Sequence, residues 1–159
     1  MFRRILLLLL LLSNFTLAEE LVLPSAKDFL MDSQKVWKQK IPILIMFSIP
    51  NCAYCKKIKE DVLSPMAQLE EYDDKIIIRH VNADSFDEVN NFYNEAVSHN
   101  ELTFHYAVNF FPTVILVDNY GASLGKIVGV PNEEMYWTDL DEVIEKSTKK
   151  LRKRMNATL

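Results

Sequence analysis

Hydrophobic positions along this chain follow two different periods, and the switches between them mark out the elements. Positions 41–49 (IPILIMFSI) are apolar with almost no polar alternation, which predicts a strand buried on both faces. Pro42 falls near its start, where a missing N–H is tolerated. Ahead of it, Ser25 is placed to cap a helix over 25–39 with Phe29, Leu30, Val36 and Trp37 on its apolar side. After it, Ile58, Val62, Leu63, Met66 and Leu69 recur at helical spacing over 53–71, with Pro65 placed to kink the helix. Positions 75–82 (KIIIRHVN) read as a second strand, and 86–99 as a helix striped by Val89, Phe92, Tyr93 and Val97.

A short helix over 103–108 is expected next. Thr113–Val117 and 124–128 then form a hairpin around Asn119-Tyr120-Gly121. The last helix is expected over 132–152, with Met135, Tyr136, Leu140, Val143, Ile144 and Leu151 inward. The order β-α-β-α-β-β-α behind an extra N-terminal helix implies an α/β fold. Its first unit has parallel strands, its final hairpin antiparallel ones, and helices sandwich a mixed central sheet.

Positions 1–18 stand outside this pattern. Arg3 and Arg4 precede the unbroken apolar run 5–12, and Thr16 and Ala18 are small enough for a signal-peptidase site. The run is too short for a spanning helix, which needs about 20 apolar residues. Export with cleavage after Ala18 is therefore expected, leaving one domain over 19–159. Losing Arg3 and Arg4 would take the net charge from −4 to about −6, which offers no general case for nucleic-acid binding. At 49% hydrophobic and 25% charged, the composition excludes a disordered or collagen-like chain. Two cysteines are too few for a disulfide-stapled miniature.

Those cysteines, Cys52 and Cys55, lie where the buried strand gives way to a helix. Thiols at i and i+3 in a first helical turn can approach to disulfide distance. Cys52, at the helix N-terminus, would meet unpaired N–H groups and the positive dipole end, which favour a thiolate nucleophile. Cys55, one turn in, would be more buried and would resolve a mixed disulfide. Two alternatives stand beside this redox reading. A purely structural disulfide would close so short a loop that it constrains the unfolded chain little. A zinc site wants four ligands, and His80, His99 and His105 lack ligand spacing. His80, in a strand, is expected to be half-exposed or hydrogen-bonded rather than catalytic. The basic stretch 146–154 is expected as a solvated helix end with cations at its C-terminus.

Three segments together resemble the thioredoxin family over essentially the whole chain after residue 18. They are ILIMFSIPNCAYCKK, the Pro65-containing helix, and NFFPTVILVDNYGASLGKIVGV. The segments Pro50-Asn51-Cys52-Ala53-Tyr54-Cys55 and Gly129-Val130-Pro131-Asn132-Glu133-Glu134-Met135-Tyr136-Trp137 are similar to the small periplasmic thioredoxins of bacterial sulfur-oxidation systems. The resemblance implies a thioredoxin-like fold, with Cys52 as attacking and Cys55 as resolving thiol. It implies a cis Pro112 facing the disulfide, with the backbone of Phe111 open to pair with an extended substrate. Ala53 and Tyr54, between the cysteines, join Phe111 and Pro112 as residues expected to touch substrate.

By the same resemblance the protein is a periplasmic reductase of protein disulfides. No metal or other cofactor is expected beyond the redox-active disulfide. Expected partners are exported proteins carrying disulfides or cysteine-bound sulfur, and a membrane thiol-reducing electron donor; the chain is expected to be a monomer. A disulfide donor or isomerase of the same fold, and a non-catalytic binding module, are the alternatives. The chain departs from the family at Met46, where a buried Asp usually stands six residues before the first cysteine. Any base for the resolving thiol would then be water or another carboxylate. Asn51 replaces the usual tryptophan, and Ala53-Tyr54 replaces Gly-Pro.

Overall fold

A computed structural model describes residues 22–157, so the expected signal peptide lies outside the described residues. Strand β1 (Ile43–Ser48) is buried at every position. It can be, because it has a strand on each side. It pairs in parallel with β2 (Ile77–Asn82) and antiparallel with β5 (Thr113–Val117), which pairs antiparallel with β6 (Ser123–Val128). The sheet order is β2-β1-β5-β6. A mixed sheet flanked by helices is what the apolar pattern implies.

Strand alternation assigns the two faces. Ile45 pairs with Arg79, and the Arg79 guanidinium donates to both carboxylate oxygens of the buried Asp32, at 2.7 and 2.6 Å. Asp32 belongs to helix α1 (Phe29–Gln39), so α1 covers that face. The opposite face carries Met46, Ser48 and His80. It is covered by helix α2 (Ala53–Ile58) and by helix α6 (Tyr136–Ala157), whose Val143 and Ser147 approach Gly125 of β6. Tyr72, in helix α4 (Glu70–Asp73), donates to Asp141 and accepts from the Trp137 indole, which ties α4 to α6.

The expected helix over 53–71 is broken into pieces. After α2, Lys59–Leu63 forms a π-helical turn, with Ser64 N–H donating to the Lys59 carbonyl. The helix then ends in α3 (Ser64–Met66). Pro65 has no N–H for the carbonyl of Asp61 and its ring crowds that carbonyl, so the turn ahead of it widens.

Several expectations are corrected. Ser25 is not a helix cap. It bridges His80, with Ala26 N–H on the His80 carbonyl and His80 N–H on the Pro24 carbonyl, so the lead-in covers the outer edge of β2. The cap is Asp28, whose carboxylate accepts from Met31 N–H. Trp37 and Met135 are exposed rather than inward.

The helix expected over 86–99 is a hairpin of β3 (Glu88–Asn90) and β4 (Ala96–Ser98). Val89 and Val97 lie eight residues apart, a spacing that serves one helix face and equally a directly opposed pair across a hairpin. The choice is made by Asn91, whose Oδ1 accepts from the N–H groups of Tyr93 and Glu95, and by Asn94 at φ 64°. Helix α5 (His99–His105) starts four residues before the expected one, because Ser98 and Glu101 form a reciprocal capping box.

Asp32 has a side-chain exposure of only 4%, so its removal strands the Arg79 guanidinium at a largely buried position. Asp32→Ala should lower unfolding stability by about 3 kcal/mol in urea titration. A loss within about 0.5 kcal/mol, the usual range for surface changes, would show that the pair does not anchor α1.

Candidate active site

The chain leaves β1 at Ser48 and turns through Asn51, which takes φ 58°, a left-handed conformation that asparagine tolerates better than most residues. Cys52 then caps α2 in extended conformation. Its Sγ accepts the N–H of Cys55 at 3.1 Å, and its carbonyl accepts from Lys56. Cys52 and Cys55 form a disulfide with Cα atoms 5.1 Å apart. Their environments differ as their helix positions dictate: Cys52 is partly buried and Cys55 only 4% exposed. Cys52 is therefore the more exposed of the two.

A hollow of about 530 Å³ opens beside the pair, lined among others by Ser48, Asn51, Lys56, Lys59 and Glu60. Ala53 and Tyr54 are exposed, Tyr54 at 56%. The Phe111–Pro112 peptide bond is cis, and Pro112 is buried with Phe111 half-buried. Thr113 pairs with Phe47, so Pro112 and Phe111 come to the same end of the sheet as the cysteines, although they do not line that hollow. Among the described residues, no hydrogen bond engages the N–H or carbonyl of Phe111. Phe110, 61% exposed, lies against Gly129, where an added Cβ would stand 3.0 Å from the ring in a backbone at φ 68°.

Sequence reasoning missed Ser48 and Lys59. It read His80 as half-exposed or satisfied, and the ring is indeed half-buried and hydrogen-bonded, its Nε2 2.7 Å from Ser48 Oγ. His80 is the register partner of Met46, a relation no linear spacing discloses. Burial, followed by the charges of Lys59 and His99, pushes its pKa down to about 4. His99 itself bridges the lead-in and β2: its Nε2 lies 3.1 Å from the Ala26 carbonyl, and its Nδ1 accepts from Asn82 N–H. The group paired with Met46 across the two strands is therefore an imidazole. Of the basic residues, Lys57 is paired with Asp61 at 3.0 Å. Among the described residues, no three His, Cys, Asp or Glu side chains converge to hold a metal ion. No helix among them is long and apolar enough to cross a membrane.

A family model for thioredoxin-like domains matches residues 31–144, and the chain belongs to that family. Its fold and its Cys52–Cys55 disulfide together support a thiol–disulfide oxidoreductase in the general sense. No curated protein matches the chain by sequence. Among solved structures, the thioredoxin of Fasciola hepatica is similar over 78% of this chain and 98% of its own, at 17% identity and a TM-score of 0.54. A thioredoxin-fold protein from Helicobacter pylori is similar over 76% and 87%, at 23% identity and 0.51. The periplasmic thioredoxin SoxS from Paracoccus pantotrophus, in reduced form, is similar over 67% and 98%, at 18% identity and 0.47. At such identities the first two likenesses speak for the fold alone, and the third, with its lower TM-score, carries no argument.

The low pKa of His80 makes folding pH-dependent. Its ordinary value is 6.5 and its folded value about 4, so on acidification the unfolded chain takes up the proton first. The stability this ring contributes is complete above pH 6.5 and is lost as pH falls toward 4. Urea midpoints measured across that window should fall less steeply in His80→Gln than in the unaltered protein. Parallel slopes would show that His80 is not the group responsible.

Proposed function

We propose that this protein reduces disulfides in exported proteins through the Cys52–Cys55 dithiol. The observation that carries the reading is the asymmetric pair itself: an accessible Cys52 at a helix N-terminus and a buried Cys55 one turn on. In the reduced protein the Cys52 thiolate attacks a substrate disulfide, forming a mixed disulfide and releasing one substrate thiolate. Cys55 then attacks Cys52 Sγ, the bond to substrate breaks, and the second substrate sulfur leaves as a thiolate. Two electrons pass to the substrate and the pair ends oxidised. The helix dipole and the Cys55 N–H both favour the thiolate of Cys52 over its thiol.

The unpaired backbone of Phe111, next in the chain to the exposed Phe110, supports recognition of an extended segment by strand addition. Contacts of that kind read backbone more than side chains, which suits a reductase of several partners. The N-terminal segment 1–18 supports export and cleavage after Ala18. The likeness of 50–55 and 129–137 to periplasmic thioredoxins of sulfur-oxidation systems supports partners carrying disulfides or cysteine-bound sulfur, and re-reduction by a membrane thiol donor. The dithiol chemistry needs no metal or organic cofactor, and a monomer suffices for it.

Two measurements test this. Cys52→Ser should abolish turnover with a protein disulfide, whereas Cys55→Ser should still attack and accumulate the mixed disulfide, visible as a covalent adduct by mass. Retained function in Cys52→Ser would leave a binding module instead. The equilibrium potential of the pair against a dithiothreitol series should fall near the thioredoxin value of about −270 mV. A potential near −120 mV would make the protein a disulfide donor.

A further inference from the structure

The resolving step of the proposed reaction asks for something the cysteines do not provide. Cys55 is buried, and a buried thiol must lose its proton to attack. Its hollow is floored by Ser48, which lines it beside Cys52 and Cys55. Ser48 Oγ is in turn 2.7 Å from Nε2 of His80, on the neighbouring strand and the same sheet face. The strand carrying the ring is fixed on its other side by the Pro24 and Ala26 backbone. We propose that Ser48 and His80 form a relay that takes the proton of Cys55 as it resolves the mixed disulfide.

The relay rests on the dithiol reading above. With Nε2 unprotonated, Ser48 Oγ–H donates to it and turns its lone pairs toward the hollow. Cys55 gives its proton to Ser48 Oγ as Ser48 passes its own to His80 Nε2. The Cys55 electron pair forms the bond to Cys52 Sγ, the bond between Cys52 and substrate sulfur breaks, and that sulfur leaves as a thiolate. The proton then returns from His80 through Ser48 to water in the hollow, restoring the neutral ring. His80 never touches the reacting sulfurs and is a positioning residue that acts through Ser48.

The surroundings keep the acceptor free. Burial disfavours a charged ring most, followed by Lys59 from the turn after α2 and His99 from α5, so the imidazole is unprotonated throughout neutral pH. Lys56 and Glu60 line the same hollow from α2 and the π turn, and the lead-in presents only backbone groups to β2 at this position. Because the ring's pKa of about 4 lies below that of a thiol, it holds the proton only while the new disulfide bond forms and then gives it up to water.

The test is single-turnover reduction of an aromatic nitrobenzoate disulfide by the pre-reduced protein. It reads a first burst of coloured thiolate as Cys52 attacks and a second as Cys55 resolves. Ser48→Ala and His80→Gln should each slow the second phase about tenfold or more at neutral pH, leaving the first phase as it was. Ser48→Thr, which keeps the hydroxyl, should restore it. The deficit should shrink as pH rises and Cys55 ionises without help, a recovery that a merely structural defect would not show. A second phase that stays unchanged in both variants, or is slowed equally at every pH, would overturn the relay. Absence of both phases in the unaltered protein would overturn the dithiol reading and the relay with it.

Discussion

Six consecutive buried side chains in β1 leave its backbone nothing but other strands to bond, since a buried N–H or carbonyl without a partner costs about 1–3 kcal/mol. That requirement places β2 on one side and β5 on the other, and obliges helices to cover both faces. The outer edges are then handled separately. The lead-in lies along β2, bonding through Pro24 and Ala26, while β6 keeps a polar outer face at Ser123 and Lys126. Because β1 cannot shift without turning its whole apolar set to the wrong face, the point at which it stops is fixed as well. The dithiol sits a few residues beyond that point, so its position is inherited from the core.

The same register decides what lies behind Ser48. Parallel pairing of Met46 with His80 sets the ring two residues from Ser48 on one face, while Arg79 points to the other and grips Asp32. One strand thus holds α1 in place with one residue and meets the site with the next. The stability of the extra N-terminal helix and the chemistry of the pair are linked through the alternation of β2.

How far these features were legible in the sequence follows from their range. The run 41–49, the Cys52-to-Cys55 spacing and the Pro112-Thr113 strand start are local, and each predicts its element correctly. The hairpin at 88–98 was misread because Val89 and Val97 satisfy both periods, although the asparagines between them carried the turn chemistry. The cap at Asp28 was missed because Ser25 offers the same chemistry three residues earlier and only the pairing of the lead-in with β2 removes it from contention. Ser48 and His80 are 32 residues apart, and no pattern within either strand reveals that they touch.

An imidazole in this place changes the electrostatic balance of the site. A carboxylate beneath the pair would, when ionised, oppose any thiolate above it. A neutral ring adds no such charge, so the forces on Cys52 come from its own helix. Lys57 contributes little, because it is paired with Asp61 at an exposed position where solvent screens its charge. In the proposed thiolate the helix terminus would add about 0.3–1 kcal/mol, and the Cys55 N–H, which here meets the disulfide sulfur, about 1.5–3 kcal/mol as a charge-assisted bond. In the proposed reaction the backbone of the first helical turn therefore outweighs Lys57 in holding Cys52 ready. It does so only while Cys52 remains the N-cap, which returns the reactivity of the site to the place where β1 ends.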